Sequence, residues 1–302
     1  MAAVADACSA LRRDVQRLNT CPALLTVTNL LFQLEREQQR KQAKRKATCK
    51  PAYDATRAER ISELRQVTEA VASLSTDVNA VEDLALSAVY GGETGVNSAE
   101  VKEKLPLLES CLFDLLIQLL ARQSVKPHAV LIGVYGSREA LLPLASAYYS
   151  IARTFGYQVE ACWYEIHNRE QFRRNRVAEP ERLFESPAAT LSGIAMVITG
   201  PYASLRFAPE GGVHSLTRDG KGRCCQVEAS DTLLADFLPP EPKAWPKDNA
   251  VDPRRTYDVD ANIARDQVLK NELRWTGRSI EPVVADAIEL QLRQAARAVI
   301  DA

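Results

Sequence analysis

Residues 200–218 read GPYASLRFAPEGGVHSLTR, and residues 255–258 read RTYD. Gly200-Pro201 marks a turn, and the apolar residues on either side of it, 190–198 and 204–207, predict a hairpin. Upstream, residues 129–135 form a β-branched apolar run. Gly136-Ser137-Arg138-Glu139 then turns the chain into a helix over 140–155, Gly156 ends it, and 158–166 alternates as a second strand. Residues 223–237 supply a further strand and 255–259 a returning one. A strand or turn region reaches to Trp275, and a helix covers 281–300. Strand, helix, strand, strand is the order of a mixed sheet with covering helices, so this part of the chain is α+β.

Before residue 126 the period is helical. Leu24, Val27, Leu30, Leu31 and Leu34, then Ile61, Leu64, Val67, Val71, Leu74, Val78 and Val81, recur at spacings of three and four. Cys49-Lys50-Pro51 separates two long helices. Gly91-Gly92-Glu93-Thr94-Gly95 breaks the second, and Asn97 or Ser98 caps a helix through Val101, Leu105, Leu108, Leu112, Leu115 and Leu119. The expected organisation is a helical hairpin or bundle over residues 1–125 and an α+β domain over 126–302. Within the latter, a proline-rich linker at 239–253 carries Pro239, Pro240, Pro242, Pro246 and Pro253. A linker of about 15 residues spans at most roughly 50 Å and is far short of the ~40 residues that fold alone.

With 302 residues, 46% of them hydrophobic, the chain has material for about two cores. No apolar run reaches the ~18–20 residues of a membrane span, so no membrane partner is expected. Seven cysteines without a C-x-x-C pair fit neither a disulfide framework nor a zinc knuckle, and no metal site is expected. Cys224-Cys225 with His214 would be the one metal-ligand grouping, and adjacent strand residues do not face one ion. Gly133-Val134-Tyr135-Gly136 precedes a helix but lacks both the Walker lysine and G-x-G-x-x-G, so it reads as a tight turn and no cofactor is expected. The aromatic residues Tyr148, Tyr149, Phe155, Tyr157, Trp163 and Tyr164 read as core.

The net charge of −1 hides a basic run, Arg36, Arg40, Lys41, Lys44, Arg45, Lys46 and Lys50, against only Glu35 and Glu37. A second cluster, Arg169, Arg173, Arg174 and Arg176, falls in an insert between strands. Each attracts phosphate, and each also matches an ordinary solvated surface; residue types alone leave both readings open. Arg12, Arg13 and Arg17 on an Ala and Leu background are similar to a mitochondrial presequence, which Asp6 and Asp14 argue against.

Taken together these pieces resemble the stop-codon-reading domain of class I peptide chain release factors. Residues 200–214 follow that family's G-x-x-(A/G)-x-x-(R/K)-F-x-x-E-(S/G)-G-V-H, and Arg255-Thr256-Tyr257-Asp258 follows its R-T-Y-N. Residues 130–160 resemble its strand, glycine turn and helix ending in G-W-(K/R)-V-E. Asp266 stands at the Asp of R-V-T-D-H-R, whose positive charge is otherwise mostly lost in Ile263-Ala264-Arg265-Asp266-Gln267-Val268. The resemblance covers about 129–237 and 254–292, and it implies that both stretches share one sheet.

The family's hydrolytic Gly-Gly-Gln occurs nowhere, and Gly211-Gly212-Val213 belongs to the E-x-G-V-H segment. Neither codon-reading tripeptide follows Val213-His214; the loop is shortened, and Cys225 stands where the family has its codon-stacking His. The resemblance therefore implies a degenerate, non-catalytic paralogue with linker 239–253 in place of the hydrolytic domain. Its expected partners are ribosomal RNA and ribosomal proteins, with no small-molecule substrate. It would be a ribosomal protein or a ribosome assembly factor in the mitochondrial matrix, and the RNA contacts would be Arg40, Lys41, Lys44, Arg45, Lys46, Arg169, Arg173, Arg174 and Arg176. The alternative is a translation-rescue factor whose partner supplies the catalytic Gln. His214 is expected to be structural and to end a strand.

Overall fold

The computed structural model describes residues 2–44, 51–90, 96–124, 126–168, 171–177, 179–185, 190–230, 237 and 252–301. The chain forms two compact units, Met1–Gln123 with Gln294–Ala302, and Ser124–Arg293.

The first unit is helical: α1 (Ala2–Thr20), α2 (Pro22–Lys44), α3 (Pro51–Tyr90) and α4 (Val96–Ala121). Most of the apolar residues read at spacings of three and four form its core, while Leu30 is exposed and Leu34, Leu105 and Leu108 are half-buried. Ile61, Leu64, Val67, Val71, Leu74, Val78 and Val81 of α3 are all buried, and Cys8, Val81, Ala85 and Val101 join α1, α3 and α4. The stretch with presequence-like arginines is α1, whose Cys8, Leu11, Val15 and Leu18 are buried. Its Arg12 donates to the largely buried Glu82 at 2.5 Å. The break between α1 and α2 at Cys21 was not expected. Pro22 there occupies a first helical position, where its missing N–H costs nothing.

The second unit is built on one nine-stranded mixed sheet. Its strands are β1 (Ala129–Gly136), β2 (Gln158–Asn168), β3 (Gln171–Val177), β4 (Leu191–Thr199), β5 (Gly212–Arg218), β6 (Lys221–Ser230), β7 (Arg255–Asp258), β8 (Ile263–Asp266) and β9 (Asn271–Arg274). Their order is β3-β2-β4-β1-β6-β5-β7-β8-β9. Helices α5 (Arg138–Thr154), α6 (Pro180–Glu185), α7 (Ala203–Phe207) and α8 (Glu281–Asp301) complete the α+β architecture. The strands within 130–230 and the strand at 255–258 thus do share one sheet.

One core lies between the sheet and α5 and α8, with Ile132, Val134, Leu144, Tyr148, Ile194, Val227, Tyr257, Val284 and Ile288 buried in it. A smaller one on the opposite face gathers Leu131, Cys162, Tyr164, Ala195 and Phe237. Of the aromatics read as core, Tyr148, Tyr149, Tyr157 and Tyr164 are buried, while Phe155 is 41% exposed with the Arg206 guanidinium 4.2 Å over its ring.

Four local expectations are corrected. Residues 204–207 are not a strand but part of α7: Tyr202 takes a left-handed conformation (φ 60°), and Ala203 and Phe207 then bury as an i, i+4 pair. The insert bearing the second arginine cluster is not a loop but edge strand β3, paired antiparallel with β2 from Ala161↔Val177 to Asn168↔Gln171. His214 lies inside β5 rather than at its end. Gly133–Gly136, expected as a tight turn, is instead the end of β1, with Gly133 paired to both Ala195 and Glu228; the strand-to-helix turn falls at Ser137, whose N–H donates to Cys224 O at 3.1 Å and is thereby unavailable to an anion.

Candidate functional site

The two segments of the opening motif meet in the middle of the sheet. β5 pairs β7 in parallel, His214↔Arg255 through Thr217↔Asp258, and the ladder continues with Arg254 N–H to Val213 O (2.7 Å) and Val259 N–H to Thr217 O (2.9 Å). A parallel pair requires a crossover connection between its strands. Here that connection is β6 and the residues up to Arg254, so the chain leaves β5, returns on β6 and comes back beside β5 as β7.

Inside this junction is a buried polar network. A short turn, residues 208–210, ends at Glu210 immediately before β5. Arg255 opens β7, and Asp266 closes β8 directly opposite it in register. The Arg255 guanidinium donates to Glu210 through Nη1 (2.8 Å) and Nη2 (2.9 Å) and to Asp266 through Nε (2.7 Å). All three side chains are fully enclosed. A bidentate fork of this kind suits a planar guanidinium and no other side chain.

The remaining lone pairs are also used. Tyr148 OH donates to Glu210 Oε2 at 2.9 Å. Val268 and Leu269 N–H each donate to Asp266 Oδ1 at 2.9 Å, and Gln291 Nε2 donates to Oδ2 at 3.3 Å. Burial alone would raise both carboxyls. The Arg255 charge and its hydrogen bonds reverse this at Glu210, and the Leu269 amide with Arg255 reverses it at Asp266, so both sit below the ordinary range.

His214 completes the network as a neutral ring. Its Nε2 lies 2.9 Å from the Glu210 carbonyl, which only accepts, so Nε2 carries the proton. Nδ1 then accepts from Tyr257 OH at 3.4 Å, and that hydroxyl accepts from Arg255 Nη1 at 3.1 Å. Burial is the main cause that lowers the His214 pKa, to about 4. The ring is 1% exposed, and burial pushes the neighbouring Cys225 thiol far up, so neither group presents reactive chemistry at neutral pH. Cys225 faces His214 in register and Cys224 faces Ser215, which places the two thiols on opposite sides of the sheet. Among the described residues no group of three His, Cys, Asp or Glu could hold a metal ion.

Where the resemblance places a codon-reading loop, β5 and β6 are joined by a two-residue turn. Arg218 pairs with Lys221, and Asp219 (φ 51°) and Gly220 (φ 69°) are both left-handed, the conformation of a type I′ hairpin. The Gly220 N–H is held by Asp260 Oδ2 at 3.2 Å. Linker 239–253 lies outside the described residues except for 252 and 253. Ahead of it, Phe237 is buried against the sheet face over Gly133, and its carbonyl accepts from Tyr164 OH at 2.7 Å.

The basic residues singled out from the sequence separate into the two units. Arg40 is exposed on α2. Lys41 and Lys44 belong to the same helix, though their side chains, like Arg45, Lys46 and Arg169 altogether, lie outside the described residues. Arg173, Arg174 and Arg176 are on β3; strand alternation sends Arg173 to one face and Arg174 to the other, and the Arg176 side chain lies outside the described residues. Arg173 is 69% exposed at its side chain, and its Nε is 3.6 Å from Glu165. Sequence reasoning missed the Arg255 hub. Its signal was an arginine at the first position of a strand together with a motif glutamate 45 residues before it and a motif aspartate 11 residues after it.

No family model matches the chain, and no curated protein matches it by sequence. Its fold is similar to the solved structure of RF2 of Thermus thermophilus, with a TM-score of 0.52 at 14% identity over 93% of this chain and 98% of that one. The likeness gives the chain a release-factor-like fold.

Proposed function

We propose that this chain is a non-catalytic, release-factor-like protein that binds the ribosome, as a mitochondrial ribosomal protein or as a factor in ribosome assembly. One observation carries the reading. The two motif segments that the hydrolytic domain separates in the resembled family, which end on β5 and begin β7, are laid side by side and locked by Glu210, Arg255 and Asp266. The motif residues that persist are those that hold the sheet together. The parts that would read a codon or position water are replaced by a two-residue turn and a chain segment with no Gly-Gly-Gln.

Binding, rather than chemistry, is the activity such a scaffold supports, and Arg40 to Lys46 and Arg169 to Arg176 are the proposed contacts to ribosomal RNA. The matrix location rests on the reading as a remodelled ribosomal component, a kind of protein that mitochondrial ribosomes have recruited, and on cysteines that form no disulfide among the described residues.

Two measurements test the proposal. Sucrose-gradient sedimentation over a salt series should place the chain with a ribosomal subunit, mature for an integral component and precursor for an assembly factor. Absence from every ribosomal fraction rejects the reading. Peptidyl-tRNA hydrolysis on stalled ribosomes should stay at background with the purified chain, whereas release by the chain alone would establish a catalytic factor. Release only on adding a partner would favour the rescue-factor alternative.

A further inference from the structure

The sequence of α2 mixes charges, yet the fold sorts them. Leu24, Val27 and Leu31 are buried in the bundle. Both carboxylates of its second half are drawn to α3: Arg65 Nη2 donates to Glu35 at 2.5 Å, and Arg57 Nη2 donates to Glu37 at 2.7 Å. The opposite face keeps what is left. At about 100° per residue, Leu25, Phe32, Arg36 and Arg40 fall within a stripe roughly 80° wide.

Phe32 is 64% exposed and Leu25 49%. Arg36 and Arg40 are exposed and make no ion pair among the described residues. The face therefore offers an aromatic ring followed, one and two turns on, by guanidinium groups with no carboxylate between them.

We propose that this face of α2 binds single-stranded RNA, with Phe32 stacking on an unpaired base and Arg36 and Arg40 holding the adjoining phosphates. The inference rests on the ribosome-binding reading and names the form of RNA that its first basic segment takes. Charge complementarity selects a phosphate backbone, since a protein partner would have to cover two apolar residues and then supply carboxylates for each cation. An aromatic ring beside cations is the general device for unpaired strands, where every base has a free π-face. A duplex keeps its bases stacked and presents none to Phe32.

Fluorescence anisotropy of the full chain with a labelled uridine oligomer tests this, with an RNA duplex as competitor and ribosome co-sedimentation read in parallel. Phe32→Ala should weaken oligomer binding about tenfold, Phe32→Trp should retain it, and the duplex should compete poorly. Arg36→Glu with Arg40→Glu should lower the salt slope by about 0.7 for each phosphate that is no longer neutralised. All these side chains are exposed, so an unchanged thermal midpoint checks the fold.

Unchanged oligomer affinity in Phe32→Ala, or equal competition by duplex, overturns the assignment while wild-type co-sedimentation leaves the ribosome reading standing. Loss of co-sedimentation in Phe32→Ala with oligomer affinity intact gives the face to a protein and also overturns it. Wild-type binding to the oligomer with Phe32 dependence, but not to ribosomes, keeps this site and rejects the ribosome reading.

Discussion

Arg255 and Glu210 are 45 residues apart in the chain and meet through two contacts of 2.8 and 2.9 Å in a fully enclosed pair. Removing one member of such a pair leaves a buried charge without compensation, whereas replacing all members by apolar groups removes the desolvation cost as well. Arg255→Leu should therefore destabilise the second unit by about 3–5 kcal/mol. Glu210→Leu, Arg255→Leu and Asp266→Leu combined should cost less than Arg255→Leu alone. Urea unfolding followed by tryptophan fluorescence decides it, and equal or greater loss in the combined variant would contradict this account of the network.

His214 makes stability depend on pH with a definite sign. Its folded pKa, about 4, lies below the ordinary value of 6.5. The unfolded chain therefore takes up the proton first, and the contribution is complete above about pH 6.5 and lost as pH falls towards 4. A shift of that size corresponds to about 3 kcal/mol. Glu210 and Asp266, also lowered, add to the loss at still lower pH. In His214→Gln the decline between pH 6.5 and 4 should flatten; an unchanged slope would show that the titrating group lies elsewhere.

The turn at Asp219-Gly220 is a second fixed point. With φ of 69° at Gly220, a β-branched side chain is strained by about 1–2 kcal/mol. Gly220→Val should lower stability by that amount, while Asp219→Asn, which tolerates φ of 51°, should be near neutral. Chemical denaturation of the two variants beside wild type is sufficient.

Gly133 exists for Phe237. A Cβ at residue 133 would stand 2.3 Å from the Phe237 ring, so Gly133→Ala should expel a ring that is 5% exposed. Loss of the burial of one phenylalanine amounts to roughly 1.5–3 kcal/mol. Limited proteolysis should then show new cleavage near residue 237, and Phe237→Ala should reproduce it. A cleavage pattern identical to wild type in both would remove Phe237 as an anchor.

The sheet was largely legible because its strands carry a period-two or continuous apolar signal, as at 129–135 and 158–166, and because glycine and proline mark their ends. The misreadings fall where that signal is absent. Residues 204–207 are too short for periodicity to separate strand from helix, and the deciding feature is the left-handed Tyr202. β3, Gln-Phe-Arg-Arg-Asn-Arg-Val, has one neighbouring strand, so its residues need not alternate in polarity. Nor does the sequence of α2 say which of its charges turn inward; the pairing of Glu35 and Glu37 depends on Arg65 and Arg57, 30 and 20 residues away.

The edge position of β3 makes its role separable from stability. Positive charge on an edge strand discourages pairing with another sheet and needs no ligand for that. A phosphate contact differs by its salt dependence. Arg173 is 69% exposed and only loosely paired to Glu165, so Arg173→Glu should change stability by no more than about 0.5 kcal/mol. If β3 touches ribosomal RNA, the same substitution should weaken ribosome association and reduce the slope of log affinity against log salt by about 0.7–0.9. An unchanged slope, together with new self-association of the variant, would assign the β3 arginines to protecting the sheet edge and leave α2 to carry the RNA contact.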